Sequence, residues 1–298
     1  MIHTILFLKF KRMDLSEEFK EERDFKDGEL QKQYEEQKPK SEWDPCRDTD
    51  MYHDIDIAIL PDEKLPHLSV LIPTYNRRKF LPLLMSNLRH MDYPKNLMEV
   101  CISDDGQESL FPDNFPYERA FSPIKVKYER ITNRHLSIGE KRNRLVKMAT
   151  HKIVANMDDD DLYLPTYLRY AISVLLHYKV GIVHSPQMIF VYPKLDFKTT
   201  GIVCEAKRQG HEATQVFTKK HHKAMGGYTK NSRGEGAKMV DFFEKNCRCL
   251  DIRMCMMCIA HDDNTIPKDN FNKDELVVDC ELHDGIKQLI LSCLEESP

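Results

Sequence analysis

LSVLIPTYN (Leu68–Asn76) begins as an apolar run and ends in turn residues. A parallel strand buried on both faces reads this way. Phe80 to Met91 follows, with Leu81, Leu84, Met85 and Leu88 at helical spacing. MEVCISDDG (Met98–Gly106) is a second strand ending in acids and a glycine, and IKVKYERI (Ile124–Ile131) alternates as a third. Glu140 to Ala149 reads as a helix, KIVANMDDDD (Lys152–Asp161) as a strand running into four aspartates, and Pro165 to Tyr178 as an amphipathic helix. VGIVHSPQMIFVYP (Val180–Pro193) returns to strand. Strands alternate with helices, which predicts an open, mostly parallel α/β sheet. Ligands of such sheets bind outside the carboxyl ends of the strands. Three polar groups fall there: Thr74-Tyr75-Asn76, Asp104-Asp105 and Asp158 to Asp161.

Four adjacent carboxylates repel one another by about 1 kcal/mol or more per pair, so at the end of an apolar strand they call for a cation. Hard divalent ions take oxygen ligands and bridge carboxylates to phosphates. An acidic helix N-terminus is the plainer alternative. Asp104-Asp105-Gly106, taken alone, is a turn. Gly139-Glu140-Lys141-Arg142-Asn143-Arg144 opens a helix before the aspartates. Its cations suit a diphosphate, although most basic helix faces are simply solvated. No P-loop glycine pattern is present, which disfavours a P-loop kinase or ATPase.

The rest of the 298 residues bounds the class. Lys and Arg number 44 against 48 Asp and Glu, a net charge of −4 that argues against a nucleic-acid coat. Nine cysteines in a chain of this size suit reduced thiols rather than a disulfide framework. No run approaches 18 apolar residues, and MIHTILFLKFKR lacks a small-residue cleavage site. The expectation is a cytoplasmic chain without signal peptide or membrane span. Residues 1–63 read as a polar, charged extension, 64–275 as the main domain and 276–298 as a helical tail.

In order and spacing, HLSVLIPTYNRRKFLPLLMSNL, VCISDDG and LSIGEKRNRLVKMATHKIVANMDDDDLYLP resemble the nucleotide-sugar-binding half of family 2 glycosyltransferases of the GT-A fold. The resemblance is close over Leu68 to Tyr170 and looser to about Asn264. It implies a metal-dependent transfer of sugar from a UDP-sugar to the hydroxyl of a saccharide or other acceptor, with inversion. By the same resemblance Pro73, Thr74, Tyr75, Arg77, Asp104 and Asp105 hold the uridine, and Lys141 and Arg142 lie near the nucleotide. The Asp-x-Asp element falls on Asp158 and Asp160. By the resemblance Asp160 would bind Mn²⁺ or Mg²⁺, while Asp158 and Asp159 would face the ribose and the surroundings of the metal. His261, after the apolar run Met254 to Ala260, is placed to complete the metal site.

The family's Gly-Gly-aromatic stretch and acidic pair correspond to Gly226-Gly227-Tyr228 and Gly234-Glu235-Gly236. A glycine replaces the second acid here. Glu235 is the expected base, with Asp241 as the alternative. Two other classes fit the acids: a nucleotidyltransferase, or a non-catalytic nucleotide-sugar-binding module. Cys247-x-Cys249 and Cys255-x-x-Cys258 are too closely spaced for the usual zinc patterns and read as buried thiols.

Overall fold

The apolar run at Leu68 becomes strand β1 (Leu68–Thr74), every residue of it buried. The computed structural model describes residues 9–10, 58–203, 210–240 and 246–295. After β1 come α1 (Leu81–His90), β2 (Met98–Asp104), β3 (Lys125–Arg130), α2 (Ile138–Met148), β4 (Ile153–Asn156) and α3 (Tyr167–His177). The second half adds β5 (Ile182–His184), β6 (Gln187–Tyr192), β7 (Lys198–Val203), β8 (Val216–Thr218), β9 (Cys247–Cys249), β10 (Met256–Ile259) and α4 (Asp284–Leu294). Seven strands form the main sheet in the order β9-β5-β8-β4-β1-β2-β3. β4, β1, β2 and β3 are mutually parallel, and β8 runs antiparallel to both its neighbours. The register sets Thr74 opposite Asp104 and Leu71 opposite Asn156, so the polar strand ends share one edge.

The stretch expected as one strand from Val180 to Pro193 divides between two sheets. β5 belongs to the main sheet, whereas β6 joins β10, β7 and the short strand Leu162–Tyr163 in a second, four-stranded sheet. Pro186 between them has no N–H to donate. The flanking amides turn to side chains instead: Ser185 N donates to Thr214 Oγ1 at 2.8 Å and Gln187 N to Ser185 Oγ at 3.1 Å.

Burial of β1 and β2 on both faces puts a large apolar core under α1, α3 and α4. In the expected tail, Ile286, Ile290 and Cys293 of α4 are buried in that core. Lys9–Phe10 pairs with Cys280–Glu281, and residues 11–57 of the expected extension lie outside the described residues. Cys247, Cys249, Cys255 and Cys258 are buried free thiols. Burial pushes Cys247 up to about 12 and the other three well above the usual thiol range, so they behave as apolar side chains.

One charge sits inside the sheet, at the edge away from the polar strand ends. The Glu99 carboxylate accepts from Ser69 Oγ (2.8 Å), Thr150 N (2.7 Å) and Thr150 Oγ1 (2.7 Å), and pairs with Lys127 at 3.1 Å. Burial disfavours its charge, but these bonds outweigh burial and pull its pKa from 4.5 down to about 2. A depressed carboxylate contributes stability above its unfolded pKa and loses it as pH falls through the folded one. Wild type should therefore be more stable than Glu99→Gln by about 3 kcal/mol at neutral pH. Urea titrations should find that gap closing between pH 4.5 and about 2. A gap independent of pH would contradict the assignment.

Candidate active site

The chain turns sharply beyond β1 and β2. Asn76 has φ 53°, and its Oδ1 accepts from Gln107 N at 2.6 Å. Gly106 allows the contact: a Cβ there would lie 2.6 Å from Asn76 N. Asp104 fixes the same turn, accepting from Gly106 N, Leu110 N and Tyr128 Oη at 2.9, 2.8 and 2.6 Å. Asp105 accepts from Leu136 N at 2.5 Å, meets His135 Nδ1 at 2.9 Å and pairs with Lys141 Nζ at 2.8 Å. Both carboxylates thus lie behind the wall of the neighbouring cavity and shape it, with Asp105 only 6 % exposed.

α2 begins in a capping box, with Ser137 Oγ accepting from Glu140 N and Glu140 Oε2 from Ser137 N. That start turns Lys141 and Arg142 inward, where both are buried. The usual solvated basic face does not apply. Lys141 Nζ also donates to Thr74 O at 3.0 Å. Arg142 reaches Asp158 with Nη2 (3.0 Å) and Glu235 with Nε (3.1 Å), while its Nη1 has no partner among the described residues.

The four aspartates divide their charge. Asp160 Oδ2 lies 3.3 Å from Arg77 Nε and 3.1 Å from His261 Nε2. Burial opposes its ionisation, but His261 and Arg77 outweigh burial and hold its pKa below the ordinary value. Burial and the Asp160 charge push Asp159 up to about 8. Burial and the same charge push Asp161 well above the usual range; its Oδ1 accepts from Ile259 N at 3.0 Å. Asp158 is also raised by burial, with Arg142 pulling the other way. Repulsion is relieved by two guanidiniums and by neutral neighbours.

A cavity of about 340 Å³ opens at this edge, lined by Pro73, Thr74, Tyr75, Arg77, Lys141, Arg142, Asp158, Asp159 and Asp160 among others. Most of the expected residues therefore meet there. Tyr75 and His135 form its aromatic rim, with ring centroids 4.4 Å apart. His261 supports the cavity through Asp160, 101 positions away in sequence. A second cavity of about 230 Å³ adjoins it, with Ile138, Arg142, Asp158, Asp160, Ser232 and Thr265 common to both walls. Glu235 and Glu212 line the second cavity only. Glu235 is buried and precedes a 3₁₀ turn (Ala237–Val240), not an α-helix. Asp241 lies outside the described residues. Sequence reasoning missed His135, Ser232, Thr265 and Glu212. The first three stand in loops without a motif, and Glu212 precedes a three-residue strand (Val216–Thr218) that had no sequence signal.

The Asp160 carboxylate and the His261 imidazole are an oxygen and a nitrogen donor that meet, which suits a divalent ion. Among the described residues His261 Nδ1 is buried without a partner. No group of three His, Cys, Asp or Glu side chains gathers for a metal among the described residues, so substrate oxygens and water would complete the shell. Among the described residues no helix is long and apolar enough to cross a membrane.

The chain is similar to several known proteins. It is 29 % identical over 93 residues to poly(ribitol-phosphate) beta-N-acetylglucosaminyltransferase TarS of Staphylococcus aureus, covering 31 % of this chain and 16 % of that protein. Over 134 residues it is 27 % identical to validoxylamine A glucosyltransferase of Streptomyces hygroscopicus, covering 43 % and 29 %. The chain thus spans less than a third of the length of these curated relatives. Among solved structures, TarS 1–349 superposes with a TM-score of 0.51 at 15 % identity, covering 76 % of this chain and 70 % of that one. A mannosyltransferase of Pyrobaculum calidifontis, solved with GDP-Man and Mn²⁺, gives 0.50 at 22 % identity, covering 72 % and 61 %. The fold is the GT-A fold of these enzymes. Residues 69–235, more than half of the chain, match the model for glycosyl transferase family 2, and the chain belongs to that family.

Proposed function

We infer that this glycosyltransferase moves a sugar from a UDP-sugar to an acceptor hydroxyl with inversion, using Mn²⁺ or Mg²⁺. The carrying observation is the pair of adjoining cavities whose common wall holds Arg142, Asp158 and Asp160. A nucleotide diphosphate in the first and an acceptor in the second would meet at that wall. Tyr75 and His135 offer flat faces for a uracil, above the floor made by Pro73 and Thr74. Asp158 and Asp159 face the ribose in this reading. Arg77, Lys141 and Arg142 supply the positive charge that a diphosphate needs. Asp160 and His261 would hold the divalent ion. When bound, such an ion stabilises negative charge on the departing diphosphate.

Inversion follows from a single in-line displacement: the acceptor oxygen attacks the anomeric carbon opposite the diphosphate. One carboxylate of the second cavity takes the acceptor proton. TarS has been solved with UDP-GlcNAc, which makes that donor the first to test. The experiment is a screen of UDP-GlcNAc, UDP-glucose, UDP-galactose and GDP-mannose for nucleotide release with Mn²⁺ or Mg²⁺. Metal-dependent UDP release is expected. Release from GDP-mannose alone would replace the donor, and binding of UDP without turnover would make the chain a non-catalytic binding module.

A further inference from the structure

Two glutamates border the second cavity beside Asp158, Asp160 and Asp161, and the surroundings of the two differ. Glu235 is 4 % exposed, and its Oε1 is taken up by Arg142 Nε. Glu212 is half-buried. Among the described residues its carboxylate meets one donor, the Gly236 N–H, at 3.3 Å to Oε1. Its main chain is fixed: Glu212 O accepts from Asn156 Nδ2 at 2.8 Å, at the end of β4. Gly236 makes room for the side chain, because a Cβ there would stand 2.6 Å from Glu212 Cγ. The absence of a side chain at 236 is therefore matched by a carboxylate that fills the space from another loop.

Resting on the glycosyl-transfer reading above, we propose that Glu212 is the catalytic base, and that Glu235 is a positioning residue that holds Arg142. The acceptor O–H gives its proton to the Glu212 carboxylate. The freed oxygen pair forms the bond to the anomeric carbon. The bond from that carbon to the diphosphate oxygen breaks, and its electron pair leaves with UDP.

The electrostatics agree with the geometry. Burial, and then the neighbouring Glu235 charge, raise the Glu212 pKa from 4.5 to about 7, with Arg142 and the Gly236 N–H pulling down. A base is most effective when its pKa lies near the working pH. The other charged or titratable groups around this cavity are Arg142, Arg233, His211, Lys268, Asp158, Asp160 and Asp161.

The test uses the full chain with UDP-GlcNAc and Mn²⁺, reading UDP release to water and to azide. Azide has no proton to lose, so it needs no base. Glu212→Gln should lower release to water by about 10²-fold or more while leaving azide-driven release and the Kd for UDP near wild type. An unchanged Kd also reports that the variant is folded. In Glu235→Gln, the acid limb of the pH profile should move to lower pH, because loss of the like charge eases ionisation of Glu212. Wild-type release to water in Glu212→Gln would overturn the proposal, as would equal loss with water and azide. A wild-type enzyme that neither binds UDP nor releases it would overturn the donor reading and this assignment together. Loss of discrimination between the nucleophiles would overturn this assignment alone.

Discussion

Asp160→Ala should lower turnover by about 10³-fold and lower the melting temperature modestly. Charge stabilisation by a bound divalent ion contributes several kcal/mol at the transition state, and each 1.4 kcal/mol is about tenfold in rate. The Asp160 carboxylate is the one that the His261 imidazole meets, and its pKa is held down. Its removal should also abolish the metal-dependent part of UDP affinity. Stability should fall modestly, because Arg77 and His261 lose the carboxylate they hold ionised. Asp160 also raises Asp159 and Asp161, so relief of that repulsion offsets part of the loss. Asp158→Ala should affect metal dependence less, because that side chain pairs with Arg142. Calorimetric UDP titrations with and without Mn²⁺, beside rates and melting curves, check all of this. Near wild-type turnover with unchanged metal dependence in Asp160→Ala would refute the role.

Arg142→Met should destabilise the fold by about 3–5 kcal/mol, because removing one partner of a buried ion pair strands the other charge. Here two carboxylates lose their partner, Asp158 and Glu235, and Glu212 loses a nearby cation. The melting temperature should fall by roughly 10 °C at pH 8. Without the guanidinium, Asp158 and Glu212, already raised by burial, rise further. The penalty is then fully present at high pH and fades as the acids protonate, so the gap to wild type should shrink toward pH 4. A wild-type melting temperature at pH 8 would show that Arg142 does not compensate these charges.

Much of the parallel half was legible in the sequence because its physics is local. An apolar run of strand length followed by a helical spacing can only be read one way at Leu68–Met91. The acids at Asp104 and Asp158 then fall on the carboxyl edge by topology alone. The buried pairs of Lys141 and Arg142 were not legible, since each partner lies between 16 and 93 positions away. Glu212 was hidden for a different reason. Val216–Thr218 carries no strand signal of its own, and a parallel strand there would send the residues before it to the far edge of the sheet. β8 instead runs antiparallel to β4, with Val216 opposite Ala155, and brings Glu212 to the edge where Asp158 stands. Strand direction is settled by pairing across the sheet, and nothing in three residues records it. The split at Pro186 had a local signal in the proline, but its destination in a second sheet did not.

The wall that the two cavities share has a consequence for the order of events. Arg142 and Asp158 belong to both, so an anion drawing Arg142 in one cavity changes the charge presented to the other. Such a contact makes the two binding equilibria interdependent. By linkage, the factor by which donor alters acceptor affinity equals the factor by which acceptor alters donor affinity. Whichever ligand arrives first, the ternary complex is reached at the same free energy, and only the kinetic route differs.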